Sequence, residues 1–209
     1  MTGFELGALL LAWGLGGGSP GPATLTISAT AMARGRVAGV VSGFGILSGS
    51  AFWGLASTLG MGAIMMTNVW IFTTMKYVGA LYLGYLAFKS FRSAMQSGTT
   101  TEQNALKGGL GKVYAKSLAI HLTNPKAVLG WGAIFAIALP ASAPPSAVFV
   151  LYGQLLCVSA LVFIGYGFLF SSPWIVERYR RARRGFEIGF GILFGAASFK
   201  ILTAPALNQ

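Results

Sequence analysis

Two dipeptides, Ser19-Pro20 and Asn124-Pro125, interrupt long apolar segments about half a chain apart, and an unbroken helix-forming run follows each. Proline removes a backbone donor and clashes with the preceding turn, so a break inside a membrane helix leaves polar groups that only neighbouring protein or a polar cavity can satisfy. Breaks at corresponding places in two halves of a chain mark a transporter's binding site. Both dipeptides are therefore the first places to look for function.

Composition supports the membrane reading. The 209 residues are 55% hydrophobic and 9% charged, with no Asp, which is too little charge to coat a soluble globule. The chain reads as an integral membrane protein whose surroundings are the lipid bilayer. A net charge of +11 would suggest nucleic acid in a soluble domain, but here the basic residues fall in short connections between apolar stretches, where topology accounts for them. No nucleic-acid partner is expected. Cys157 is the single cysteine, so neither an intramolecular disulfide nor a thiolate metal site can form, and an inert buried thiol is expected. Neither a metal nor a cofactor is expected. Glu5 and no basic residue stand before the first apolar run, which argues against a cleaved signal peptide.

A transmembrane helix takes roughly 20 predominantly apolar residues. Such segments lie near 4–33, 37–61, 68–91, 113–139, 146–170 and 186–204. The connections near 34–36, 89–116 and 171–185 hold Arg34, Arg36, Lys89, Arg92, Lys107, Lys112, Lys116, Arg178, Arg180, Arg181, Arg183 and Arg184, whereas those near 62–67 and 140–145 hold no charge. Basic loops are retained in the cytoplasm, so alternate loops face inward and both termini are expected outside. Lys76, Lys126 and Lys200 fall within spans. Long side chains near helix ends snorkel to the interface, which accounts for Lys76 and Lys200.

Three spans per half would place the second half in the membrane upside down relative to the first. The expected fold is all-α, six transmembrane helices in two inverted three-helix repeats, with the first and fourth helices broken at their proline motifs. Residues 1–92 would form the first repeat, 93–112 a polar cytoplasmic linker containing Ser97, Gly98, Thr99, Thr100 and Thr101, and 113–209 the second repeat. Phe44-Gly45-Ile46-Leu47 in the second span is similar to Tyr152-Gly153-Gln154-Leu155 in the fifth. Glycines also recur four apart, Gly39 with Gly43, Gly45 with Gly49, Gly185 with Gly189 and Gly191 with Gly195, and such faces let helices pack closely in lipid.

Ser19 and Asn124 are good N-cap residues, and the proline after each suits the first helical position, where no donor is needed. At ~1.5 Å rise per residue Pro20 lies about 24 Å and Pro125 about 18 Å into its span, near the middle of the hydrocarbon. Helix starts expose unpaired N–H groups and roughly half a positive charge, so two of them approaching from opposite sides would attract an anion. Lys126 would reinforce that centre, and an ammonium there is costly without a partner, which favours either a bound carboxylate or ready loss of its proton. The alternative is a plain kink with Lys126 reaching the cytoplasmic interface.

A zwitterion also carries an ammonium. Only Glu5 and Glu187 stand near span ends, so its expected partners are the carbonyls freed around Gly16 to Gly18 and His121 to Thr123. Neutral amino acids fit this better than dibasic ones. Glu187 has a sufficient structural role at the start of the last helix, beside the arginines of 178–184. His121, the single histidine, is a candidate carrier of a coupling proton, against a plain hydrogen-bonding role. Tyr77, Tyr82, Tyr85, Tyr152, Tyr166, Trp53 and Trp131 are anchors, packing residues or pocket walls, which sequence does not sort.

Several of these motifs together resemble the lysine-exporter and homoserine/threonine-efflux family of bacterial amino-acid exporters. Ser19-Pro20-Gly21-Pro22 is similar to the family's first-helix signature, and Gly35-Arg36 followed by Gly39 to its second-helix opening. Lys76-Tyr77-Val78-Gly79-Ala80-Leu81-Tyr82-Leu83 is similar to its third-helix motif, His121-Leu122-Thr123-Asn124-Pro125-Lys126 to its fourth, and Phe190-Gly191 to its last helix. The resemblance implies a six-helix secondary exporter of the bacterial inner membrane driven by an ion gradient. The expected substrate-binding set is Ser19, Pro20, Gly21, Pro22, Asn124, Pro125 and Lys126, with His121 for the proton. One departure stands out: many members carry an acidic residue in the fifth helix, where this chain has Cys157, Val158 and Ser159.

The reading that joins these features is export of a small neutral amino acid or close analogue by alternating access, coupled to protons, with a homodimer as a candidate assembly. Inorganic-ion export would need ligands that one His, one Cys and no Asp do not supply. A membrane thiol oxidoreductase would need a second cysteine. Export of another small solute, or a structural protein whose breaks are packing kinks, is the alternative.

Overall fold

The computed structural model describes residues 2–67, 69–95, 105–139 and 143–203. Seven helical elements occupy them: α1 (Gly3–Gly18), α2 (Pro22–Thr67), α3 (Val69–Met95), α4 (Leu110–Leu122), α5 (Pro125–Ala138), α6 (Pro145–Leu169) and α7 (Pro173–Thr203). Within α2 the chain bends at Gly35, where φ is 81° and ψ is −179°. Side chains are strained in that region and glycine is not, so the bend divides α2 into a short arm before Gly35 and a long arm after it.

The helices lie on the six apolar segments read from sequence, α1 with the short arm of α2 on the first and α4 with α5 on the fourth. Two stretches, Pro22–Gly60 and Pro145–Leu169, are by length and composition able to cross a membrane. One boundary differs from expectation. The arginine-rich stretch 178–184, read as a connection, is helical, because α7 starts at Pro173 and runs 31 residues. Proline suits a first helical position and arginine is a good helix former, so nothing ends the helix before the apolar part begins.

The long arm of α2 packs on α6 and on α4, and α3 packs on α7. These are the broadest contacts, and each joins the first half of the chain to the second. Small residues make them close. A Cβ added at Gly43 would lie 2.7 Å from the Phe163 carbonyl oxygen on α6, one at Gly45 2.5 Å from the Tyr114 carbonyl oxygen on α4, and one at Gly49 2.9 Å from His121 Cβ. The expected packing faces at Gly39 with Gly43 and Gly45 with Gly49 are thus present. Gly191 meets the Phe91 ring, whereas Gly185 and Gly189 face open space, so that pair is not a packing face. Gly153 is likewise open while Gly45 is closed, so the two similar tetrapeptides do not pack alike.

Polarity is distributed as a bilayer requires. Thr24, Ser28, Thr30, Ser42, Ser50 and Ser117 are buried, while large apolar side chains such as Phe4, Leu161 and Phe199 point outward. Cys157 is also exposed, which corrects the expected buried thiol: it falls on the outer face of α6. Arg34 donates to the Leu106 carbonyl at 3.0 Å and Arg36 to Ser171 at 3.4 Å, so the three basic connections meet at one end of the bundle. Residues 96–104 of the linker and the side chains of Lys76 and Lys200 lie outside the described residues.

Gly45→Val should lower stability by about 1–3 kcal/mol, because the added methyls meet backbone that cannot turn aside. Gly185→Ala should be neutral or stabilising by up to ~1 kcal/mol through helix propensity. Thermal unfolding of the purified protein in detergent checks both, and equal melting temperatures for the two variants would contradict the packing described.

Candidate functional site

At the first break α1 stops at Gly18, and Ser19 is its C-cap with φ −65° and ψ 147°. The second helix starts at Pro22, not at Pro20 as expected, and Ser19 does not cap forward. Each proline drives the residue before it out of helical geometry, so Pro20 excludes Ser19, Pro22 excludes Gly21, and only Pro22 can open the helix. Ser19 turns backward instead, its hydroxyl donating to the Gly16 carbonyl at 2.8 Å and its N–H to the same oxygen at 3.3 Å. Thr24 closes the other side: its hydroxyl accepts from the Gly21 N–H at 3.1 Å and donates to the Ser19 carbonyl at 3.1 Å. Tyr166 on α6 donates to the Gly18 carbonyl.

The second break follows the sequence expectation. Asn124 is the N-cap of α5, its side chain accepting from the Lys126 N–H at 3.1 Å, and Pro125 holds the first helical position. The carbonyls at the end of α4 are engaged too. His121 O accepts from Asn124 N at 3.1 Å and Leu122 O accepts from the Trp53 indole at 3.2 Å.

The two breaks meet. Lys126 donates to the Ser19 carbonyl at 3.2 Å and to the Ser19 hydroxyl, and a Cβ on Gly21 would stand 3.7 Å from its ammonium. Phe194 of α7 lies beside it, the ring centroid 6.0 Å from Nζ, within range of a cation–π attraction. Lys126 therefore turns inward and does not run to an interface. Its charge rests at the carbonyl end of α1, which is the negative pole of that helix. This revises the picture of two amide-rich tips facing each other, because Gly21 N–H and Lys126 N–H are already satisfied within the chain.

Of the residues read from sequence, Ser19, Gly21, Asn124 and Lys126 come together, with Ser19 and Asn124 buried. Pro20, Pro22 and Pro125 act through backbone shape, and the rings of Pro22 and Pro125 are exposed. His121 is buried against Gly49 and lies edge-on to Phe163 at 5.5 Å. Its Nδ1 has no hydrogen-bond partner among the described residues, so the plain bonding role is absent at that atom.

Sequence reasoning missed Thr24 and Phe194, and left Tyr166 unsorted among anchors, packing residues and pocket walls. Only Thr24 left a trace, a hydroxyl within one turn of a double-proline break. In the fifth-span neighbourhood that lacks a carboxylate, Ser159 accepts from the Trp13 indole at 2.9 Å, so this position ties α6 to α1. Two of the unsorted aromatics resolve as packing residues: Trp131 sits in the core, with Trp13, Phe135 and Tyr152 around it.

Comparison with known proteins gives the family. The sequence profile of the LysE type translocators matches residues 17–204, from just before the first break to the last helix. The chain belongs to the LysE type translocator family. It is a membrane transporter and not an enzyme. Among relatives, an uncharacterized membrane protein of Pseudomonas aeruginosa is 29% identical over 192 residues, covering 88% of each chain. The uncharacterized membrane protein YahN of Escherichia coli is 26% identical over 184 residues, covering 88% of this chain and 82% of its own. A threonine efflux protein of Escherichia coli is 24% identical over 188 residues, covering 88% and 90%. No solved structure matches the translocator.

Thr24→Val should leave the Gly21 N–H unpaired and cost about 1–3 kcal/mol, whereas Thr24→Ser keeps the hydroxyl and should stay near the parent. Melting temperatures of the two variants test this. A Thr24→Val protein as stable as the parent would remove Thr24 from its place in the break.

Proposed function

We propose that this translocator exports a small neutral amino acid or a close analogue across the bacterial inner membrane, using the centre where the two helix breaks meet. The observation that carries the reading is the Lys126 ammonium held at mid-chain breaks by Ser19. A half-buried cation that hydrogen-bonds only to a neutral hydroxyl and carbonyl is poised to exchange them for a carboxylate, whose opposite charge adds a coulombic attraction that neutral acceptors lack. Ser19, Pro20, Gly21, Pro22, Asn124, Pro125 and Lys126 form the binding region. The relatives described as threonine efflux proteins support this substrate class.

Transport proceeds by alternating access between two inverted three-helix repeats, residues 1–92 and 113–209, with both termini in the periplasm. Two features support that arrangement. The broad helix contacts run between the halves, as rocking of one repeat against the other requires, and the basic connections gather at one end. His121 carries the coupling proton. Its buried Nδ1 has no hydrogen-bond partner among the described residues, so a proton taken up there requires a rearrangement that supplies an acceptor, which ties protonation to a change of conformation.

A counterflow panel of labelled amino acids in proteoliposomes tests the reading. Lys126→Ala and Asn124→Ala should both abolish flux while eluting as folded protein, and full transport by the Lys126 variant would remove that residue from the site. An opposing pH gradient should accelerate flux by the parent, and indifference to it rejects proton coupling. His121→Phe should keep exchange but lose the gradient's effect.

A further inference from the structure

Arg36 and Arg178 are cations that the exporter site leaves unused. Arg36 follows the bend at Gly35, and its Nε donates to the Ser171 hydroxyl at 3.4 Å, in the turn between α6 and α7. Its guanidinium lies over the Phe168 ring, 5.5 Å from the centroid. Trp174 comes three residues beyond Ser171, and the Arg178 guanidinium lies over its ring at 4.0 Å. Two arginine–aromatic pairs therefore flank one turn. All four side chains are exposed, Trp174 by 62%. Among the described residues no carboxylate pairs with either arginine. Glu177 is taken by Arg181, and Glu5 stands at the start of α1. Glu187, expected at the start of the last helix, stands about four turns into α7 and accepts from Ser93.

The length of α7 sets the level of this turn in the bilayer. Its 31 residues make about 46 Å of helix, against ~30 Å of hydrocarbon, so about a third of it stands outside. The arginines put that third at the Pro173 end. Beside it Val37, Phe168, Leu169, Phe186 and Ile188 are exposed and apolar, as side chains facing lipid are. Arg36 and Arg178 thus stand where hydrocarbon gives way to headgroups.

We propose that the turn between α6 and α7 is a docking surface for acidic phospholipid, with the donors of Arg36 and Arg178 taking the headgroup phosphate. Charge complementarity selects the occupant. A guanidinium held over a ring is engaged through its face, so its in-plane N–H groups remain for a phosphate, which they grip as a fork. The exposed rings beside the arginines suit the glycerol and upper acyl region, where aromatic side chains collect. A soluble polyanion would leave those rings in water. One arginine comes from each half of the chain, so the packing of α2 on α6 assembles the surface. Its occupancy is independent of which solute is carried.

Native mass spectrometry tests this on the purified full chain, equilibrated in detergent with equal amounts of phosphatidylglycerol and phosphatidylcholine of identical acyl chains. The parent should retain phosphatidylglycerol in about twentyfold preference, and Arg36→Gln and Arg178→Gln should each reduce that preference about fivefold. The double variant should show almost none. Both positions are exposed, so these variants should elute as folded protein. Lys112→Gln combined with Lys116→Gln removes equal charge from exposed positions on α4 and should keep the preference. Equal retention of the two lipids by the parent overturns the proposal. An equal loss in the α4 variant does the same, since the attraction would then be diffuse. Excess glycerol 3-phosphate should leave the bound lipid in place, and displacement by it would make this a site for soluble phosphates and overturn the lipid assignment.

Discussion

The bond from the Lys126 ammonium to Ser19 joins the two places where the membrane helices fail to continue, and most of the architecture serves it. A cation inside a bilayer is tolerated only with partners. Here the partners are a hydroxyl and a carbonyl at the end of α1, whose dipole favours positive charge. Neutral partners hold the ammonium without neutralising it. In the proposed function that leaves a centre for the solute's carboxylate, and the break at Ser19 would respond to its binding.

Bringing residues 19 and 126 together requires helices from opposite halves to approach within backbone contact. Lipid offers no hydrophobic drive between apolar helices, so small side chains and buried hydroxyls supply the association. Gly43 against α6 and Gly45 and Gly49 against α4 set the spacing of the long arm of α2. That spacing places His121, which would meet a side chain at Gly49, about one helical turn before the second break. On the other side, Ser198 donates to the Ala80 carbonyl at 2.7 Å and Gly191 admits Phe91, fixing α7 against α3. The position of Phe194 near Lys126 and of Glu187 near Ser93 follows from that pairing.

Much of this was legible in the sequence, for definite reasons. Helix positions followed from apolar length, and the second break followed from Asn124-Pro125, because an N-cap and a first-turn proline are local signals. The family followed from motifs that are individually short but jointly ordered along the chain. The first break was misread at Pro20 because two prolines two residues apart compete for the helix start, and only their combined restriction on Ser19 and Gly21 selects Pro22. Tyr166, Phe194 and the burial of Glu187 were not legible, since each depends on which face of a distant helix turns inward. In a chain whose helices are apolar all round, periodicity does not mark that face.

The most direct measurement of the central claim is the distance between the Lys126 ammonium nitrogen and a bound carboxylate. Solid-state NMR on lysine-15N protein in lipid, saturated with threonine labelled by 13C at its carboxylate, reads that distance by dipolar dephasing, with Lys126→Ala assigning the signal. The account predicts dephasing that corresponds to a hydrogen-bonded separation of about 3–4 Å. Saturated binding with no dephasing at Lys126 would contradict it.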